Sequence, residues 1–84
     1  MWFILNEKII KNGCYLKFKT KSKVTYLIKC DKVIKSYGGY DIESLCYRCS
    51  NLNLEGRHRY FFVPEGKCKY LEVLTEEEFQ AELL

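Results

Sequence analysis

No stretch of this 84-residue chain stays apolar for the ~18–20 residues of a membrane-spanning helix, so neither a span nor a membrane partner is predicted. The opening Trp2-Phe3-Ile4-Leu5 runs straight into Asn6-Glu7-Lys8, with no basic start and no small-residue cleavage site. That pattern predicts no signal peptide and a cytoplasmic location. Internal repeats, low-complexity tracts and linkers are also missing, and the length leaves no room for a second domain, so residues 1–84 read as one domain. Nor is the chain short of apolar residues. With 48% hydrophobic and 30% charged residues it lies well outside the composition of disordered chains.

Chemical constellations are equally scarce. There is no glycine-rich phosphate loop and no aromatic signature of an RNA-recognition motif. The single histidine, His58, has no nucleophile and orienting acid at a suggestive spacing. A non-enzymatic protein is therefore expected.

Turn signals dominate what is present. Asn12-Gly13, Thr20 to Lys23, Tyr37-Gly38-Gly39-Tyr40, Asn51 to Gly56 and Pro64-Glu65-Gly66 each interrupt short apolar stretches. Between them the period is two. Cys14, Leu16 and Phe18 alternate with Tyr15, Lys17 and Lys19, and Val24, Tyr26, Ile28 and Cys30 alternate with Thr25, Leu27 and Lys29. Alternation of this kind sends one row of side chains to a core and the other to water.

Three hairpins are predicted. Cys14–Thr20 pairs with Lys23–Cys30. The segment ending near Lys35 returns after Gly38-Gly39 as Tyr40–Cys49, the glycines supplying positive φ. Tyr60–Val63 pairs with Cys68–Val73, and Asn51–Gly56 reads as a loop. At the C-terminus Thr75 and Glu78 stand at capping-box spacing, Leu74 and Phe79 occupy the staple positions, and Glu76, Glu77 and Glu78 lie on the positive end of the helix dipole. A helix of about nine residues is too short to persist alone, so Phe79 and Leu83 must pack on the sheet. The expected fold is β-rich α+β: a small twisted antiparallel sheet, or an open SH3- or OB-like barrel, with one short C-terminal helix.

Charge is split along the chain. Residues 1–42 carry nine lysines and three acids, whereas residues 43–84 carry five basic residues and eight acids. Lys17, Lys19, Lys21 and Lys23 alternate through the first hairpin and interleave with Tyr15 and Tyr26, the composition of a nucleic-acid platform. Edge lysines that block aggregation are the plainer explanation. Arg57 and Arg59 flank His58 just before Tyr60-Phe61-Phe62. They suit a phosphate or an acidic protein surface, with a charged approach to a buried strand as the alternative. The sequence pI of 8.6 is below the ~9 of a dedicated nucleic-acid binder. Seven tyrosines among thirteen aromatics exceed what so small a core hides, and exposed Tyr beside Arg is the composition of a protein-binding hot spot.

Five cysteines are dense for this length and odd in number. In a reducing compartment they are either small core residues or metal ligands. Cys46-Tyr47-Arg48-Cys49 has the spacing of half a tetrahedral site, with two ordinary strand residues on opposite faces as the alternative. A hairpin centred on Gly38-Gly39 sets Cys30 opposite Tyr47, beside that pair. The fourth ligand is Cys68, His58 or Cys14. In the predicted last hairpin His58 lies five residues from Val63, the partner of Cys68, or roughly 16 Å along the strand at ~3.3 Å per residue. The two are therefore hard to use together. Cys30, Cys46, Cys49 and Cys68 form the preferred set, a closed four-sulfur structural zinc site suited to a chain with a thin stability margin.

In size, composition and compact cysteine pattern the whole chain resembles the small phage-encoded anti-defence proteins, among them the anti-CRISPR inhibitors of RNA-guided nucleases. That class has no shared motif. The resemblance implies an inhibitor acting in a bacterial host cytoplasm, bound to a larger protein such as a CRISPR effector nuclease and obstructing guide or target-DNA access. Lys17 to Lys23 would face an acidic patch of the effector, or Glu76–Glu78 its basic channel. The second reading is a small barrel that binds nucleic acid directly through the lysine stripe and exposed tyrosines.

Overall fold

The computed structural model describes every residue except Lys67. Its elements are β1 (Trp2–Leu5), β2 (Lys8–Lys11), β3 (Tyr15–Lys19), β4 (Thr25–Ser36), β5 (Gly39–Cys49), β6 (Leu52–Pro64), β7 (Leu71–Leu74) and α1 (Glu76–Leu83). All pairings are antiparallel. β1 and β2 form a two-stranded sheet, and the rest form a five-stranded sheet in the order β6-β5-β4-β3-β7. The result is β-rich α+β, two open sheets with one short C-terminal helix.

The β1–β2 hairpin turns on Asn6 and Glu7, both left-handed at φ 50° and 68°. Two successive positive φ values match the right-handed twist of the flanking strands. The Asn6 side chain also donates to the Cys68 carbonyl at 3.0 Å, tying this turn to the β6–β7 connection. Phe3, Leu5 and Ile10 point inward onto the larger sheet, where Phe3 stacks on Tyr40 at 4.1 Å and 5°. Their targets are Leu16, Ile28, Cys30, Val33, Ile42, Cys46 and Val63, which form the core with Leu54, Cys68 and Leu71. That face of the sheet is called inner below.

The opposite, outer face receives α1. Phe79 is buried against the rings of Tyr15 and Tyr47, at 4.6 and 5.4 Å, and Leu27 is buried on the same face. Thr75 accepts from the Glu78 amide at 3.1 Å, and the Glu78 carboxylate accepts from the Thr75 amide at 2.9 Å. The predicted capping box and the docking of Phe79 are both present.

The β3–β4 hairpin forms as predicted, and β4 and β5 pair with a displaced turn. Three local expectations are corrected. The β4–β5 turn sits at Tyr37-Gly38, with Ser36 opposite Gly39, and unpaired residues at Asp31 and Tyr47 shift the register further. Cys30 therefore lies opposite Ser44, not Tyr47. Gly39 begins β5 rather than serving the turn: a Cβ there would collide with the Val63 carbonyl of β6. Tyr60–Val63 pairs with β5, not with Cys68–Val73, which instead supplies β7 along β3. Asn51–Gly56 is not a loop. Its residues from Leu52 onward belong to β6, whose 13 residues form one edge of the sheet.

Candidate functional site

The N-terminal hairpin is apolar on both faces. While Phe3, Leu5 and Ile10 face the core, Trp2, Ile4 and Ile9 face water at 60%, 61% and 54% exposure. Ile4 is the direct cross-strand partner of Ile9, so the two share one face, with Trp2 two positions along on β1. A strand with one solvated face reads as alternating apolar and polar; a strand buried on both faces reads as a continuous apolar run. Trp2-Phe3-Ile4-Leu5 is of the second kind, yet this chain covers only one of its faces. Exposed Lys11, the cross-strand partner of Trp2, borders the patch.

The predicted lysine stripe is spread over a strand and the turn that follows it. Lys17 lies under the helix and forms an ion pair with Glu82 at 2.9 Å. Lys19 follows at the end of β3, and Lys21 and Lys23 stand exposed on the β3–β4 turn. Arg57 and Arg59 are neighbours on one face of β6, opposite Cys46 and Ser44. They extend the inner face past the part the hairpin covers, and Arg59 lies 5.4 Å over the Tyr26 ring. Tyr26 and Phe18 both contact Phe61 there, at 5.3 and 5.1 Å. His58 turns to the other face, its Nδ1 3.6 Å from the Asp31 carboxylate.

The five cysteines divide into smaller groups. The unpaired residue at Tyr47 brings Cys46 and Cys49 to the same, inner face, opposite Ile28 and Tyr26. A regular strand would have separated them. Burial pushes the Cys46 thiol up from its ordinary range. Cys49 accepts the Tyr26 hydroxyl proton's hydrogen bond, which raises the Tyr26 pKa. Cys68 is buried in the β6–β7 connection. Among the described residues no three Cys, His, Asp or Glu side chains converge closely enough to hold an ion. Cys30, Cys46 and Cys49 thus lie along a ladder on one face, and the zinc reading rests on sequence spacing.

Cys14 and Cys30 form a pair that spacing alone did not single out. Lys11–Cys14 is a tight turn closed by the Cys14 amide on the Lys11 carbonyl at 3.2 Å, with Gly13 at φ 90°. Gly13 donates to the Cys30 carbonyl at 2.7 Å, and Cys30 donates to the Cys14 carbonyl at 2.8 Å. Gly13 and Cys14 together oppose Cys30, which is the glycine-first bulge that such a turn produces. The side chains meet across the strands. A hydrogen bond from the Cys30 thiol holds the Cys14 pKa down to about 7, against its own partial burial, while the same bond and burial push Cys30 far above its usual range. The Asn12-Gly13 turn signal together with Cys30 carried this information, but only the β3–β4 register joins them.

Among the described residues no helix is long and apolar enough to cross a membrane. Comparison with protein-family models, with curated proteins and with solved structures finds no match.

Proposed function

We propose that this chain is a small protein-docking inhibitor, and that the Trp2, Ile4 and Ile9 face of the β1–β2 hairpin meets its partner. The supporting observation is that unbroken apolar hairpin, covered on one side and bare on the other. Clustered apolar surface ringed by polar residues marks interaction sites, and tryptophan is enriched among the few residues that dominate binding energy. The target class is an RNA-guided defence nuclease, on the strength of the resemblance in size and composition to anti-CRISPR proteins. Docking there would obstruct nucleic-acid access. The engagement of Lys17 by Glu82 weighs against direct nucleic-acid binding through the lysine stripe, since it neutralises one cation of the four.

The test is target-DNA cleavage by a panel of purified RNA-guided nucleases, with the protein added at increasing ratio. Inhibition of one of them at stoichiometric amounts is expected, and it is lost in a Trp2→Ser/Ile4→Ser variant of unchanged fold. A mobility shift of free DNA that falls steeply with salt, without any protein target, would instead support the nucleic-acid reading.

A further inference from the structure

We propose that Cys14 and Cys30 form a peroxide-oxidisable dithiol, in which Cys14 is the attacking sulfur and Cys30 the resolving one. Two features of the fold carry this. The two residues are joined across β3 and β4 by the 2.7 and 2.8 Å backbone bonds of the bulge. Directly opposed strand positions hold their Cα atoms at about 4.5–5.5 Å, within the ~4.4–6.8 Å span of disulfides. The roles are also unequal. Cys14 is only partly buried and open to a small oxidant, whereas Cys30 has no exposed surface at all.

The chemistry balances with hydrogen peroxide as oxidant. The Cys14 thiolate attacks one peroxide oxygen and the O–O bond breaks, giving Cys14 sulfenic acid and hydroxide. The sulfur of Cys30 then attacks the Cys14 sulfur, giving up its proton. The S–O bond breaks and the second oxygen leaves as hydroxide. The two protons of the dithiol convert both hydroxides to water, and two electrons pass from the sulfurs to the peroxide. The product staples the Lys11–Cys14 turn to β4. Because that turn anchors the β1–β2 hairpin, oxidation should stiffen the connection between the two sheets.

The experiment treats the reduced full chain with one equivalent of hydrogen peroxide, blocks residual thiols and maps the peptides. The expected result is an intact mass lower by about 2 Da before blocking, with Cys14 joined to Cys30 in the monomer. Cys30→Ala should stop at the first step and give a dimedone adduct on Cys14. Cys14→Ala should leave Cys30 unmodified at the same dose. A wild-type bond mapped to Cys46, Cys49 or Cys68, a link between two chains, or over-oxidation of Cys14 with no bond would overturn the proposal. The wild-type map decides the matter even if a cavity at Cys30 unsettles the fold.

Discussion

A thiol reacts as its thiolate, and at Cys14 the proton is lost near pH 7 because a neighbouring S–H stabilises the anion. The rate of Cys14 alkylation by iodoacetamide should therefore rise to half its plateau near that pH. Cys30→Ala removes the donor and should move the midpoint up toward the ordinary 9.0; an unmoved midpoint would mean that the hydrogen bond has no influence. Because the folded pKa is depressed, the stabilisation linked to Cys14 is complete above the unfolded value and fades as pH falls through about 7. The residue scale is also where the sequence said least. Cys14 and Cys30 are sixteen positions apart and follow no ligand spacing. Their meeting depends on a bulge in which Gly13 takes a positive φ, and a turn motif shows that only once the register is known. Cys46 and Cys49 teach the same lesson, since Tyr47, an ordinary residue type, is what turns both to one face.

Among the elements, α1 is the most legible and the most exposed to single substitutions. Thr75, Glu78, Leu74 and Phe79 lie within six residues of one another, so local chemistry decides the helix start and tertiary context only decides where it lands. Thr75→Ala should cost about 1 kcal/mol, or roughly 4–8 °C in Tm. Phe79→Ala should cost about 3–5 kcal/mol, because the ring is buried between Tyr15 and Tyr47. Thermal melts of the two variants check both values, and equal losses would mean that the helix is held by its cap alone. Hydrogen bonds from Thr75 hold the Glu78 carboxyl below its ordinary range. Its contribution is therefore present above the unfolded carboxylate pKa and is lost as pH falls through the lower folded value. Glu78→Ala should flatten that acid limb of the stability curve. The first part of β6 and the partner of β7 were illegible for the opposite reason. From Glu55 to Tyr60 six consecutive residues of β6 are exposed, so no period-two pattern marks the strand. The partner of β7 is β3, more than fifty residues away, where neither turn chemistry nor spacing can announce it.

At the scale of the whole molecule, the five-stranded sheet is covered by the hairpin on its inner face and by α1 on its outer face. The core lies between the two sheets, and a smaller cluster lies under the helix. Turn density and alternation in the sequence pointed to this class of fold, and the β3–β4 and β4–β5 hairpins were readable from Thr20 to Lys23 and from Tyr37 to Tyr40. The exposed apolar side of the hairpin was not read, although its signal was present: Trp2-Phe3-Ile4-Leu5 is a strand-length apolar run where alternation would be expected of a half-solvated strand. The zinc proposal also belongs to this scale, since a closed site would have to draw Cys68 toward Cys30, Cys46 and Cys49. Native mass spectrometry of freshly purified reduced protein tests it: one zinc per chain supports the site, and a metal-free spectrum counts against it.

On the proposed function, the uncovered side of the N-terminal hairpin binds a protein. Affinity capture with the tagged wild type and with a Trp2→Ser/Ile4→Ser/Ile9→Ser variant of equal thermal stability tests it most directly. One stoichiometric protein should be retained by the wild type and absent from the variant; recovery of the same proteins by both, or of nucleic acid alone, would rule the hairpin out as the binding surface.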